Sequence, residues 1–117
     1  MGRLTTHVLD TGLGLPGAGI KVSLFRVNGN DRQYLHSAVT NQNGRCDVPL
    51  LEGAAFTSGV YELHFSLAEY FALSGQALPS PPFVGEVILR VGIADSSQHY
   101  HVPLLASPWS YSTYRGS

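Results

Sequence analysis

Hydrophobic and polar residues alternate with a period of two along most of the chain, which predicts β-strands rather than helices. In residues 4–10, for example, Leu4, Thr6 and Val8 share one face. Glycine, proline and asparagine separate the alternating segments, as in 11–19, a predicted loop, and 28–31, a predicted turn. The predicted strands are 4–10, 20–27, 32–40, 45–50, 60–65, 86–93, 98–105 and 109–114. Eight short strands favour an antiparallel sandwich or barrel.

One short helix interrupts the strand pattern. Residues 66–69, with the sequence Ser-Leu-Ala-Glu, have the form of a capping box, in which Ser66 caps the helix and Glu69 bonds back to it. Gly75 stands where such a helix would end. A helix over 67–74 has about two turns and must pack on the sheets to be stable.

The composition limits the classes of function. The chain has 117 residues, enough for one domain, 1–117. Seven basic and eight acidic residues give a net charge of -1, so neither nucleic acid nor an acidic membrane is an expected partner. Only 13% of residues are charged, and we expect partner chains to cover part of the surface. No stretch approaches the ~18 apolar residues of a membrane span.

The single cysteine, Cys46, excludes an internal disulfide framework and a zinc site with several thiolates. One cysteine fits a reducing compartment, and we expect the protein in the cytoplasm. Cys46 has no base beside it in the sequence, so packing is its expected role.

Several histidines face away from the predicted core. Thr5, His7 and Leu9 alternate with the apolar face of the first strand, and His99 and His101 alternate with the apolar face of the strand at 98–105. A strand histidine is more often a surface or hydrogen-bonded residue than a catalytic one. Two imidazoles on one strand, with His7 as a third ligand, would also suit a zinc ion with an open water position. The pattern leaves both interpretations open.

Two further features carry candidate chemistry. Arg45 follows Gly44 in a tight turn, where a guanidinium could bind a planar anion or simply lie exposed to solvent. The last residues are rich in aromatic and hydrogen-bonding groups, although chain ends usually fray. We expect this terminus to be docked against the fold.

These same segments resemble the 5-hydroxyisourate hydrolases, the transthyretin-like enzymes of urate breakdown. The resemblance covers nearly the whole chain, and the terminal Tyr-Arg-Gly-Ser is its most specific element. The matching segments are 4–11 (LTTHVLDT), 43–46 (NGRC), 99–105 (HYHVPLL), 107–108 (SP) and 111–117 (YSTYRGS).

The resemblance implies a transthyretin-like sandwich of two four-stranded antiparallel sheets with one short helix. It also implies a homotetramer, a dimer of dimers, with sites in clefts between the dimers. Outward-facing histidines would then lie at an interface.

The implied reaction opens the six-membered ring of 5-hydroxyisourate by hydrolysis, giving 2-oxo-4-hydroxy-4-carboxy-5-ureidoimidazoline without a metal or cofactor. His7, Arg45 and His101 match the family's catalytic residues, and which histidine activates water stays open. The residues that match the substrate-binding chain end are Tyr114, Arg115, Gly116 and Ser117. His99 matches no catalytic position and is expected to be structural. Two alternatives are kept: a carrier like transthyretin, and a zinc hydrolase that uses His7, His99 and His101.

Overall fold

Nine β-strands, one α-helix and one 3-10 turn make up the fold in the computed structural model, which describes residues 1–117. The strands are β1 (Arg3–Asp10), β2 (Leu15–Pro16), β3 (Lys21–Asn28), β4 (Asp31–Val39), β5 (Leu51–Glu52), β6 (Gly59–Ser66), β7 (Glu86–Ile93), β8 (His99–Ser107) and β9 (Ser110–Thr113). The 3-10 turn is Gly53–Ala55, and the helix, α1, is Leu67–Leu73. The predicted all-β fold with one short helix is confirmed.

The strands form two sheets that pack face to face. One sheet has the order β4-β3-β6-β7 and is antiparallel throughout. The other has the order β2-β1-β8-β9, and β5 extends it by pairing with β1, so it has five strands rather than four. Its central pair, β1 and β8, is parallel, which differs from the expected antiparallel arrangement. These two strands are separated by most of the chain, so no hairpin imposes an antiparallel direction on them.

The core lies between the sheets and follows the alternation of the sequence. Leu4, Thr6 and Val8 of β1 are buried, and the Thr6 hydroxyl donates to the carbonyl oxygen of Val102 at 2.6 Å. Their neighbours along the strand are only half-buried, on the opposite face. The predicted division of β1 into a core face and an outward face is confirmed.

Residues 45–50 do not form the predicted strand, and this prediction is wrong. Arg45 makes one isolated β-bridge with His7, and the next strand, β5, begins only at Leu51. The Asn41 side chain bends the chain here, because its Oδ1 accepts hydrogen bonds from the backbone N–H groups of Asn43 and Arg45 at 2.9 and 3.2 Å. The predicted loop at 11–19 likewise differs slightly, since it contains the two-residue strand β2.

Helix α1 is present as predicted, but the predicted capping box is wrong. The side chain of Ser66 makes no capping hydrogen bond, because Ser66 is also the last residue of β6 and is held in register with Glu86. A tertiary contact anchors the helix instead. The Tyr70 hydroxyl donates to Asp10 Oδ2 at 2.7 Å, and burial together with that carboxylate raises the pKa of Tyr70 to about 12. With seven residues, α1 is too short to span a bilayer, and the chain has no helix that could do so.

A charged cluster covers the outer face of the antiparallel sheet. Glu62 is 1% exposed and accepts from Arg32 Nε at 2.6 Å, from Arg90 Nε at 2.9 Å and from His64 Nε2 at 2.9 Å. The bond from Arg32 is the largest cause that lowers the pKa of Glu62 to about 2, against the opposing effect of burial, with His64 and Arg90 adding to it. A buried carboxylate held by three donors ties β4, β6 and β7 together.

We expect Glu62→Gln to lower the free energy of unfolding by about 1–3 kcal/mol at pH 7. Because the pKa of Glu62 is lowered from 4.5, its contribution is present above that pH and is lost as the pH falls toward 2. Urea unfolding of wild type and variant at pH 7 and pH 3 measures both effects. Equal stability at pH 7, or the same deficit at both pH values, would contradict this role.

Candidate active site

The parallel pairing of β1 with β8 brings two histidines from opposite ends of the sequence together. In this register Thr5 lies directly across from His101, and His7 lies across from Pro103. Thr5 and His7 share the face of β1 that points away from the core. The side chains of Thr5, His7 and His101 are half-buried on this side of the sheet. The sequence prediction that His7 and His101 face outward is confirmed.

A continuous chain of hydrogen bonds joins these side chains. His101 Nδ1 lies 2.7 Å from Thr5 Oγ1, and His101 Nε2 lies 2.6 Å from His7 Nδ1. The two imidazole rings are stacked, with centroids 4.8 Å apart and planes inclined by 21°. Both nitrogens of His101 are therefore engaged, and Nε2 of His7 is the one ring nitrogen of the pair without a partner in the chain.

The surroundings favour the neutral form of both rings. Burial lowers the pKa of His7, and the positive charge of Arg45 lowers it further. Burial is also the main cause that lowers the pKa of His101, followed by His7 and then by Arg45. At neutral pH the pair is uncharged and has a lone pair available to accept a proton.

The turn before Arg45 places that residue beside His7. Gly44 has φ +74°, and a Cβ atom there would collide with the carbonyl oxygen of Val8, so only glycine fits. Its own carbonyl accepts from the Val8 N–H at 2.8 Å, which docks the turn on β1. The Arg45 side chain is exposed and makes no hydrogen bond within the chain. Its guanidinium is free to bind a ligand.

The chain end docks on the opposite side of the histidine pair. The Gly116 N–H donates to the carbonyl oxygen of His101 at 2.8 Å. A Cβ atom on Gly116 would lie 2.8 Å from Cδ2 of the His101 ring, closer than real contacts allow, so glycine is required for this approach. The expected docking of the terminus is confirmed. Tyr114 and Ser117, on either side of Gly116 in the sequence, line the same cavity.

Arg115 is directed elsewhere. Its Nη2 donates to Gln98 Oε1 at 3.1 Å and to the His99 carbonyl at 3.0 Å, and its guanidinium carbon lies 4.0 Å from the centre of the Tyr100 ring. Arg115 is the one expected site residue whose side chain does not line the cavity described next. Its contacts hold the terminal segment in place.

Between the Arg45 turn and the chain end lies a cavity of about 480 Å³. It contains six of the seven expected site residues: His7, Arg45, His101, Tyr114, Gly116 and Ser117. The further residues in its wall are Arg3, Thr5, Thr6, Cys46 and His99. Strand alternation puts Thr5 on the face of His7 and His99 on the face of His101, which is the sequence signal for their place in this wall. The sequence alone assigns no role to Thr5, and His99 is expected to be structural.

The cavity does not favour metal or thiol chemistry. No group of three histidine, cysteine or acidic side chains is arranged to hold a metal ion, and His7 and His101 are hydrogen-bonded to each other. Burial, with a smaller effect of Asp47, raises the pKa of Cys46, so its side chain is a thiol at neutral pH rather than a reactive thiolate. What the site offers is a neutral imidazole base beside a guanidinium, a pairing suited to water-dependent cleavage of a polar bond.

Comparison with known proteins identifies relatives over nearly the whole chain. The family model "HIUase/Transthyretin family" matches residues 4–116. A 5-hydroxyisourate hydrolase of Ralstonia nicotianae is 56% identical over 117 residues, which is 100% of both chains.

Solved structures show the same fold. The 5-hydroxyisourate hydrolase of Klebsiella pneumoniae is 33% identical, with a TM-score of 0.81 over 100% of both chains. An (S)-allantoin synthase is 46% identical, with a TM-score of 0.94 over 99% of this chain and 44% of that one. A sea bream transthyretin, 23% identical with a TM-score of 0.86, covers 97% of this chain and 94% of that one, and shows the fold alone. The chain belongs to the HIUase/Transthyretin family.

Proposed function

We propose that this protein hydrolyses 5-hydroxyisourate in urate degradation, in the cavity between Arg45 and the chain end. The observation that carries the proposal is the hydrogen-bonded pair of His7 and His101, with the free Nε2 of His7 beside the Arg45 turn. The substrate is inferred from relatives named 5-hydroxyisourate hydrolase, one of which is 56% identical over the full chain.

In the proposed mechanism His7 is the general base. Its Nε2 takes a proton from water, and the resulting hydroxide attacks the ring acyl carbon of the substrate. The carbon–nitrogen bond then breaks, and the proton held by His7 passes to the leaving nitrogen. The product is 2-oxo-4-hydroxy-4-carboxy-5-ureidoimidazoline. His101 stabilises the protonated His7 by accepting its Nδ1 hydrogen bond.

Arg45 and the chain end orient the substrate and stabilise charge. The Arg45 guanidinium has no hydrogen-bond partner within the chain, so it can donate two parallel hydrogen bonds to oxygens of a flat ring and stabilise the negative charge that develops on the acyl oxygen. Tyr114, Gly116 and Ser117 bind the substrate from the opposite wall. Arg115 supports them through its contacts with Tyr100 and the His99 carbonyl. The mechanism requires no metal and no cofactor.

We also propose that residues 1–117 act as a single domain in the cytoplasm, in a homotetramer built as a dimer of dimers. Strands β7 and β9 lie at sheet edges and have unpaired backbone groups, which another copy could pair with. Only 13% of the residues are charged, which suits a surface covered by other copies. Light scattering at micromolar concentration tests the assembly, and a monomer there would contradict it.

The direct test is a kinetic assay on freshly generated 5-hydroxyisourate. We expect wild type to accelerate ring opening well beyond the spontaneous rate, and His7→Ala and His101→Ala each to lose ~10²–10⁴-fold in kcat. Neither side chain belongs to the core, so the melting temperature should change little. His36→Ala, on β4 of the other sheet, is the matched control. A wild-type protein that does not exceed the spontaneous rate would refute the function.

Arg45→Lys should not behave as a conservative change. Lysine keeps the charge but lacks the planar fork that can bind two oxygens of a flat substrate. Losing one charged hydrogen bond, about 1.5–3 kcal/mol, corresponds to a roughly 10- to 150-fold decrease in kcat/KM. Lys21→Arg on β3, a conservative exchange outside the cavity, serves as the control. Equal kcat/KM for Arg45→Lys and wild type would leave Arg45 no bidentate role.

Deleting residues 114–117 should abolish activity while the protein still folds. The segment lines the cavity and contributes no residue to the apolar core. The segment is nevertheless held in one place, because the Gly116 N–H donates a hydrogen bond to the His101 carbonyl and the Arg115 guanidinium lies over the Tyr100 ring. Activity is compared with that of a full-length chain carrying an N-terminal tag, and folding is checked by thermal unfolding. Full activity in the folded, shortened chain would remove the chain end from the site.

A further inference from the structure

We propose that Thr5 is a positioning residue, which accepts a hydrogen bond from Nδ1–H of His101 and thereby keeps His7 in the form that can act as a base. This inference rests on the proposed function, because it concerns the direction of the hydrogen bonds in that site. Thr5 acts through His101 and His7 and is not assigned a contact with the substrate.

Strand geometry places the hydroxyl where the proposal needs it. Thr5 and His7 are two residues apart on β1, which separates them by roughly 6.6 Å along the same face. The parallel register sets His101 across from Thr5, so its ring reaches both side chains, at 2.7 Å and 2.6 Å.

The chain of hydrogen bonds can run in only two directions when both rings are neutral. If Thr5 donates to His101 Nδ1, then His101 Nε2 carries a hydrogen and donates to His7, and the proton of His7 is left on Nε2, facing the site as a donor. If Thr5 accepts instead, both rings carry their protons on Nδ1. The Nε2 of His7 then presents a lone pair, and only this direction gives a general base.

A hydroxyl at residue 5 makes the second direction possible. Thr5 Oγ1 makes no other hydrogen bond in the chain, so its acceptor capacity is available to His101. Without that acceptor a half-buried Nδ1–H would lose its partner, which disfavours this tautomer. Valine has nearly the shape of threonine and suits a strand, so Thr5→Val removes the hydroxyl while β1 keeps its packing.

Nitrogen-15 NMR of the imidazole rings at neutral pH tests the tautomer without substrate. We expect His101 to carry its proton on Nδ1 in wild type and in Thr5→Ser, and on Nε2 in Thr5→Val. His101 with its proton on Nε2 in the wild type, or on Nδ1 in folded Thr5→Val, would overturn the proposal. This readout is independent of turnover, so it judges Thr5 even if the protein fails to open 5-hydroxyisourate.

Kinetics supply the second readout. For Thr5→Val we expect kcat to fall ~10- to 100-fold with KM changed less than about threefold, because ring orientation rather than substrate binding is affected. Thr5→Ser should stay within about threefold of wild type. The control is Thr11→Val. In wild type the Thr11 hydroxyl donates a hydrogen bond to the Ala106 carbonyl at 3.2 Å, outside the cavity, so kcat of this variant should be unchanged. A Thr5→Val protein with wild-type kcat would contradict the inference.

Discussion

The site depends on the parallel pairing of β1 with β8. These strands come from the two ends of the chain, and their register alone decides which side chains meet. With Thr5 across from His101, the His101 ring lies between Thr5 and His7. A shift by one residue would turn one strand's polar face into the core, where Leu4, Val8 and Leu104 are fully buried, so core packing fixes the register of the site.

The two walls of the cavity extend the same sheet. The Arg45 turn bridges to His7 on one side, and Gly116 bridges to His101 on the other. Backbone hydrogen bonds thus order four segments side by side, and two glycines allow the closest approaches. Two neutral imidazoles, the backbone of the Arg45 turn and the chain end are held in place in this way, and the Arg45 guanidinium has no hydrogen-bond partner in the chain and can bind a ligand. Such preorganisation is what electrostatic catalysis requires.

Much of this was predictable from alternation and turn chemistry. The period-two pattern predicts that His7 and His101 lie outside the core. The Gly44–Arg45 turn and the polar chain end, both singled out in the sequence, form the two walls of the cavity. The parallel register was not predictable, since pairing between distant strands leaves no local signal. The Thr5 contact depends on that register. Arg115 is directed by its contacts with Gln98, His99 and Tyr100, which strand alternation does not reveal. The strand predicted at 45–50 does not form, because hydrogen bonds to the Asn41 side chain shape the start of that segment in place of regular pairing with a neighbouring strand.

The central claim is that His7 and His101 form one coupled, neutral pair. An NMR titration of the ring carbon-bound protons of wild type measures it directly. The account predicts that both histidines titrate below the ordinary value of 6.5, and that each signal also responds to the protonation of the other ring. Two independent titrations, or a pKa of either ring at or above 6.5, would contradict the account.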